Sequence, residues 1–200
     1  MIKRLFDIFF SFFGLIIISP FFILICILIV FDSKGSAFYL QKRVGLKNIE
    51  FSLFKFRTMV CDADKKGLLT VGAKDNRITK IGYYLRKYKI DELPQLLNVF
   101  FGKMSFVGPR PEVRKYVDFY TEEQLKVLSV KPGITDFASI EYFNENELLE
   151  KFENPEEFYI NEVMPAKLKI NLKYIKNQSI FVDVQVIFKT ILRIFFKSKN

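Results

Sequence analysis

The chain has 200 residues, half of them hydrophobic, with 24 Phe and a net charge of +9, a size that suits one domain and an appendage. The charge is uneven: residues 1–32 are neutral, 33–120 carry +10, 121–165 carry −8 and 166–200 carry +7, so a basic body and tail suit anionic lipid, phosphate-bearing substrates or nucleic acid. With no His there is no Ser-His-Asp triad, imidazole base or His zinc ligand, and two isolated cysteines, Cys26 and Cys61, make neither a zinc site nor a disulfide framework.

The first element is the apolar run at 5–31, long enough to span a bilayer as a helix. Ser19-Pro20 sits near its middle, where Pro removes a helix hydrogen bond, and Asp7 and Ser11 make its first turns less apolar. Lys3 and Arg4 precede it, and Lys34, Lys42 and Arg43 follow it, so both ends carry the signal of the cytoplasmic side. From these residues a kinked simple span leads, ahead of a re-entrant hairpin and a buried soluble helix. The run is too long for a cleaved signal peptide.

Residues 36–45 and 49–59 read as two strands joined by a turn at 45–48. Residues 60–78 are polar and read as a loop, and 78–89 have helical spacing with a basic face. A further helix opens at Asp91, takes Pro94 in its first turn and ends at Gly102. VGPRPEV (107–113) is a rigid turn, 112–128 reads as helix, and Lys131-Pro132-Gly133 breaks it. The acidic stretch 141–163 suits one or two exposed helices. Beyond it, Leu168, Leu172, Ile175, Phe181, Val184, Ile187, Phe188 and Ile191 fall at helical spacing between basic residues, which suits helices on a membrane surface or helices packed on the domain.

The acidic pair Asp91-Glu92 stands out in this basic context. Its plain reading is a helix cap that complements the dipole. Adjacent helical residues do not face each other, which argues against a glycosidase pair flanking one bond. Two carboxylates with different roles, one a nucleophile on phosphorus and the other a ligand of Mg2+, suit the cations around them: Arg86, Lys87, Lys89 and Arg110. This grouping points to magnesium-assisted phosphoryl transfer.

The stretches KRLFDIFFS (3–11), Ser19-Pro20, QKRVG (41–45), FKFRTM (54–59), DELPQL (91–96), Asn98, MSFVGPRPE (104–112) and KPGIT (131–135) occur in an order that resembles the bacterial sugar transferase family, small monotopic phosphoglycosyl transferases. The resemblance implies that Asp91 is the nucleophile on a UDP-sugar, that UMP leaves, and that undecaprenyl phosphate takes the phosphosugar. It implies that Asp91 and Glu92 hold Mg2+, that Arg86 contacts the lipid phosphate, and that Arg110, Lys55 and Arg57 line the anionic pocket. It replaces the simple span by a re-entrant helix broken at Ser19 and Pro20, with the protein on the cytoplasmic face of the bacterial inner membrane.

The architecture implied is α+β and mostly helical: a re-entrant helix at 1–33, a cytosolic catalytic domain with a short β-hairpin at 34–165, and an amphipathic membrane-associated tail at 166–200. The resemblance implies the minimal catalytic form, without the multi-span region of larger members. The chain departs from the commoner Gly-Trp-Ala-Gln after KPGIT, with Asp136-Phe137-Ala138-Ser139 in its place, which leaves the sugar open, along with oligomeric state, a homodimer included. The alternative function is a non-catalytic membrane-surface scaffold of an envelope polysaccharide system. Nucleic acid is not an expected partner, because no recognition motif occurs and the apolar run holds the body at a membrane.

Overall fold

The structure, a computed structural model, describes residues 2–63 and 75–196. Helix α1 runs unbroken from Ile2 to Asp32, with Pro20 inside it. The expected break at Ser19-Pro20 is therefore not an interruption of the helix. Pro20 has no N–H for the carbonyl of Ile16 one turn back, and the Ser19 hydroxyl donates to that same carbonyl at 2.9 Å.

Polar residues in the first turns of α1 form its docking face. Asp7 is buried and accepts from the Ser105 hydroxyl at 3.0 Å and the Phe106 amide at 3.1 Å. At the far end Ile29 is buried, and Asp32 accepts from the Ile81 amide at 2.9 Å. The outward face, including Phe9, Phe13, Ile17, Phe21 and Phe31, is exposed.

Strands β1 (Phe38–Val44) and β2 (Glu50–Phe56) form the expected antiparallel hairpin, registered from Phe38 opposite Phe56 to Val44 opposite Glu50. Lys47 and Asn48 turn it in the left-handed region, at φ 56 and 63°. The expected loop at 60–78 lies largely outside the described residues.

Helix α2 (Lys80–Lys87) is capped by the Thr79 hydroxyl, which accepts from the Gly82 amide at 3.0 Å. Gly82 lies so close to the backbone of Thr58 that a Cβ there would sit 2.1 Å from its carbonyl oxygen. Asp91 and Glu92 occupy a separate 3-10 turn (Ile90–Glu92), and helix α3 (Gln95–Phe100) starts after Pro94. The expected single helix opening at Asp91 is thus two pieces, with Pro94 at the joint and Gly102 (φ 79°) past the end.

Asn98 explains how α3 meets the hairpin. Its buried side chain accepts from the Phe54 amide at 2.9 Å and donates to the Ser52 carbonyl at 2.8 Å. It therefore bonds the edge of β2 as a neighbouring strand would. Phe51 and Leu53 pack with Val99 and Met104 beneath this junction.

Strand β3 (Ser105–Val107) pairs in parallel with β4 (Gly133–Thr135), a sheet that the sequence pattern does not announce. A Cβ at Gly133 would lie 2.1 Å from the amide nitrogen of Gly108, so the two segments meet only because neither residue has a side chain. The expected helix at 112–128 is only one turn, α4 (Arg114–Val117), followed by a 3-10 segment at Gln124–Ser129.

The chain continues through α5 (Phe137–Glu141), α6 (Glu145–Leu149) and α7 (Pro155–Phe158), then a π-helical turn, Tyr159–Val163. The acidic stretch is exposed only on its outer side: Leu149, Tyr159 and Val163 belong to the largest core cluster, with Val113, Tyr116 and Leu168. Helices α8 (Met164–Lys176) and α9 (Ile180–Phe195) complete the described chain. Helix α8 runs across the expected boundary at 165/166 and packs into the domain, burying Met164, Leu168 and Tyr174. Helix α9 buries Asp183 and Val186 but exposes Phe181, Val184, Phe188, Ile191 and Phe195. Helix α8 thus packs on the domain as one of the two expectations has it, and α9 packs on it by one face only.

Candidate active site

Three adjoining pieces of chain bring the site together: the 3-10 turn with Asp91 and Glu92, strand β2 with Lys55, and the Gly108–Glu112 turn with Arg110. Lys89, just before the dyad, is held in the left-handed conformation at φ 57°. That conformation costs about 1–3 kcal/mol for a residue with a side chain. It reverses the chain between α2 and the dyad.

Glu92 is held from the side. Both terminal nitrogens of Arg110 reach its carboxylate, one of them Nη1 at 3.2 Å from Oε2, and Lys55 Nζ lies 3.6 Å from Oε1. Burial pushes the Glu92 carboxyl up, but Arg110, Lys55 and Lys89 together hold it well below the usual range. Burial pushes the Lys55 ammonium down to about 8, against the pull of Glu92.

Asp91 differs from its neighbour. It is buried, and its Oδ1 has no hydrogen-bond partner among the described residues. Burial first, and the charge of Glu92 second, raise its carboxyl above the ordinary value. Two adjacent carboxylates are thereby pushed apart, one fixed as an anion and one left with an available oxygen. Neither behaves as the helix cap that is their plain reading, since Glu92 gives its oxygens to Arg110.

Two cavities meet at Asp91. One, of about 470 Å³, contains Glu92, Arg110, Lys89 and Glu112 and reaches Thr190 and Arg193 on α9. The other, about 500 Å³, lies between β1, β2 and the 58–63 segment. Asp91, Lys55, Arg86 and Arg43 line both. The structure therefore assembles Asp91, Glu92, Lys55, Arg86 and Arg110. Lys87 lies on the exposed side of α2 and lines neither cavity.

Arg57 is placed differently from Lys55. The strand ends at Phe56, so the alternation that would keep Arg57 beside Lys55 stops. Its guanidinium donates to the carbonyls of Ser33 (2.6 Å) and Lys34 at the C-terminus of α1, and it lines only the second cavity. It neutralises a helix end.

Sequence reasoning missed three contributors. Glu112 accepts from the Tyr159 hydroxyl at 2.5 Å and pairs with Arg43 at 3.2 Å, so the wall behind Arg110 is a buried charge network. Asp136, first residue of the departure after KPGIT, accepts from the backbone amide of Arg110 at 2.8 Å and from Asn171 at 3.0 Å, and caps α5 through the Ser139 amide at 2.5 Å. Arg193 joins from 80 or more residues away in sequence, and only its helical spacing from Val186 and Thr190 hinted at the inward face.

For a divalent metal, the donor set is hard oxygen, and the unpartnered Oδ1 of Asp91 fits a ligand role. Glu92 can add only a lone pair left over from Arg110. No cluster of three or more acidic or Cys side chains that could hold a metal occurs among the described residues.

The chain matches the family model described as bacterial sugar transferase over residues 1–197. A Bacillus subtilis (strain 168) protein named as an uncharacterized sugar transferase is 38% identical, over 97% of this chain and 87% of its own length. An Aeromonas hydrophila protein, named as a UDP-N-acetylgalactosamine-undecaprenyl-phosphate N-acetylgalactosaminephosphotransferase, is 35% identical over 95% of this chain and 43% of its own length. An Escherichia coli (strain K12) protein named as a UDP-glucose:undecaprenyl-phosphate glucose-1-phosphate transferase is 33% identical over 96% of this chain and 40% of its own length. The chain thus spans about two fifths of the length of the last two proteins.

Proposed function

The chain belongs to the bacterial sugar transferase family, and from that premise we propose that it moves a sugar phosphate from a UDP-sugar to undecaprenyl phosphate, releasing UMP, and so starts assembly of a glycoconjugate. The observation that carries this reading is the buried, partly unpartnered Asp91, set where two cation-lined cavities meet.

In the first step an Asp91 oxygen attacks the sugar-bearing phosphorus of the donor. The bond from that phosphorus to the bridging oxygen breaks, and UMP leaves with the electron pair. In the second step an oxygen of the lipid phosphate attacks the same phosphorus, the acyl phosphate bond breaks, and the Asp91 carboxylate is restored. No net proton is needed, which suits a site without His. Arg110, Lys55 and Arg86 set positive charge around the phosphates, and Glu92 holds the first two in place. Bound Mg2+ would supply charge neutralisation at the phosphate oxygens, with Asp91 and Glu92 as its protein ligands.

Helix α1 supports a membrane location. It is long and apolar enough to cross a membrane, and at 31 residues it is about 46 Å long. Yet its first turns bind β3 through Asp7 and its last turn binds α2 through Asp32. Two ends holding one body favour a helix that stays on one side of the membrane over one that crosses, and the basic residues at both ends support the cytoplasmic face of the inner membrane. The exposed Phe side chains of α9 add a second lipid-facing surface.

The test is UMP release by detergent-purified protein given Mg2+, undecaprenyl phosphate and a panel of UDP-sugars. Release that needs Asp91, that needs the lipid to go beyond one turnover, and that leaves a phosphosugar adduct seen by intact mass is the expected result. Release without an adduct would overturn the covalent mechanism, and unimpaired turnover by Asp91→Asn would overturn the site.

A further inference from the structure

The charges around the cavity that reaches α9 are mostly spoken for. Arg110 and Lys55 pair with Glu92, Arg43 with Glu112, and Lys167 with Glu145 at 2.6 Å. Arg193 is different. It lines this cavity together with Asp91 and Arg110, forms no ion pair among the described residues, and keeps a buried Nε without a hydrogen-bond partner. Its guanidinium carbon lies 5.5 Å from the centroid of Phe143, and Lys89 Nζ lies 5.6 Å from the same ring. One ring thus positions two cations at the cavity wall.

The helix that carries Arg193 has two faces. Asp183, Val186, Thr190 and Arg193 follow one another on the inner side, where the Thr190 and Thr135 hydroxyls share a hydrogen bond at 2.6 Å. Phe181, Val184, Phe188, Ile191 and Phe195 point outward and are exposed. The same helix therefore offers an apolar surface outside and an unpaired guanidinium inside. Few ligands need both within one helix width, and a phosphate monoester on an apolar chain is one of them.

We propose that Arg193 is a phosphate-binding residue of the active cavity, and that the phosphate it receives is that of the lipid acceptor. This rests on the function proposed above. A guanidinium binds a phosphate through two parallel N–H···O bonds, and Nε is one of the donors such a fork uses. The donor diphosphate offers the same chemistry, so the two half-reactions must be measured separately.

The experiment compares wild type, Arg193→Gln and Arg193→Lys as detergent-purified full-length protein, with melting temperature as the folding control. UMP release without acceptor, in a single turnover, reads the first half-reaction. Multiple turnover against undecaprenyl phosphate reads the second. Binding of undecaprenyl phosphate, with undecaprenol as the uncharged control, is read by native mass spectrometry, which needs no turnover. Arg193→Gln should weaken undecaprenyl phosphate binding and raise the acceptor KM by about 10- to 100-fold, as for loss of a hydrogen bond to a charged group. The single-turnover rate should change by less than about threefold, and Arg193→Lys should recover part of the loss. Equal slowing of both half-reactions would assign Arg193 to the nucleotide phosphate instead and overturn the acceptor assignment. Unchanged acceptor KM and unchanged undecaprenyl phosphate binding in a folded Arg193→Gln protein would overturn the proposal outright. If wild type releases no UMP from any donor, it is the proposed function that fails, and the binding arm still decides for or against Arg193.

Discussion

Arg110 grips Glu92 with both terminal nitrogens, so the carboxylate beside Asp91 is already a partner before any substrate arrives. Glu92→Gln removes this anchor and also the negative charge that helps raise Asp91. Transfer should fall by about 100-fold or more, from lost positioning of Arg110 and Lys55. The acid limb of the residual kcat/KM profile should move to lower pH. A limb that stays in place would show that Glu92 does not act on Asp91.

Asp91→Asn should abolish the phosphosugar adduct and lower turnover by at least about 10³-fold. In wild type the acid limb should lie above the ordinary aspartate value of 3.8, because burial and Glu92 both oppose ionisation of Asp91. Stability should be untouched or slightly higher in Asp91→Asn, since a buried carboxylate that resists its charge is being replaced by a neutral amide. Thermal melting and membrane association check this.

Lys55 gives a basic limb. Folded Lys55 loses its proton near pH 8, whereas the unperturbed amine does so at 10.5. As pH rises through 8, kcat/KM for the donor should fall, because a cation facing the phosphates is lost. In the same window the unfolded chain binds more protons than the folded one, so the contribution of Lys55 to stability rises from pH 8 to 10.5. Lys55→Arg should remove the limb, since Arg stays charged. A profile unchanged by that substitution would assign the limb elsewhere.

Asn98→Ala should destabilise the fold by about 2–4 kcal/mol. It strands the Phe54 amide and the Ser52 carbonyl at the β2 edge and leaves a small void. Denaturant midpoints measure it. Asn98→Asp should be no better, because it keeps the acceptor and loses the donor.

Asp136→Ala should weaken the site without emptying it. The amides of Arg110 and Ser139 and the Asn171 side chain lose a common acceptor, for about 1–3 kcal/mol of stability. The catalytic effect should appear as a lower kcat with bound donor, through a displaced Arg110. An unchanged kcat would make Asp136 purely structural.

The hairpin was legible because two seven-residue runs rich in Phe, Tyr, Leu and Val flank a Gly-Leu-Lys-Asn turn. The β3–β4 pair was not, because three residues per strand carry no period and their pairing depends on Gly108 and Gly133 having no side chains. The dyad was legible as a pair set among cations, from its charge against a basic background, and the structure puts Lys55 and Arg110 on Glu92. Its helix was misplaced because Pro94 divides a turn from a helix that share one apolar pattern. Arg57 shows the limit of alternation: two residues after Lys55 it should face the same way, but the strand has ended and a helix terminus claims it. Helices α8 and α9 carry similar stripes, and only the neighbours they meet decide which is core. Asp136 read as a departure from the family pattern, with no sign in the sequence that it fastens the Arg110 turn.

The clasp between the two ends of the described chain sets a timetable for its synthesis. Lys3 reaches the Val107 carbonyl, Tyr174 and Asp183, the last of these 180 residues downstream. At the usual 5–20 residues per second, a ribosome needs roughly 10–40 s to travel from one partner to the other. The apolar helix is therefore complete before the segment that fastens its first turn exists. Closure of this clasp comes last, so a chain halted before α9 would offer Lys3 the Val107 carbonyl and Tyr174 but no carboxylate.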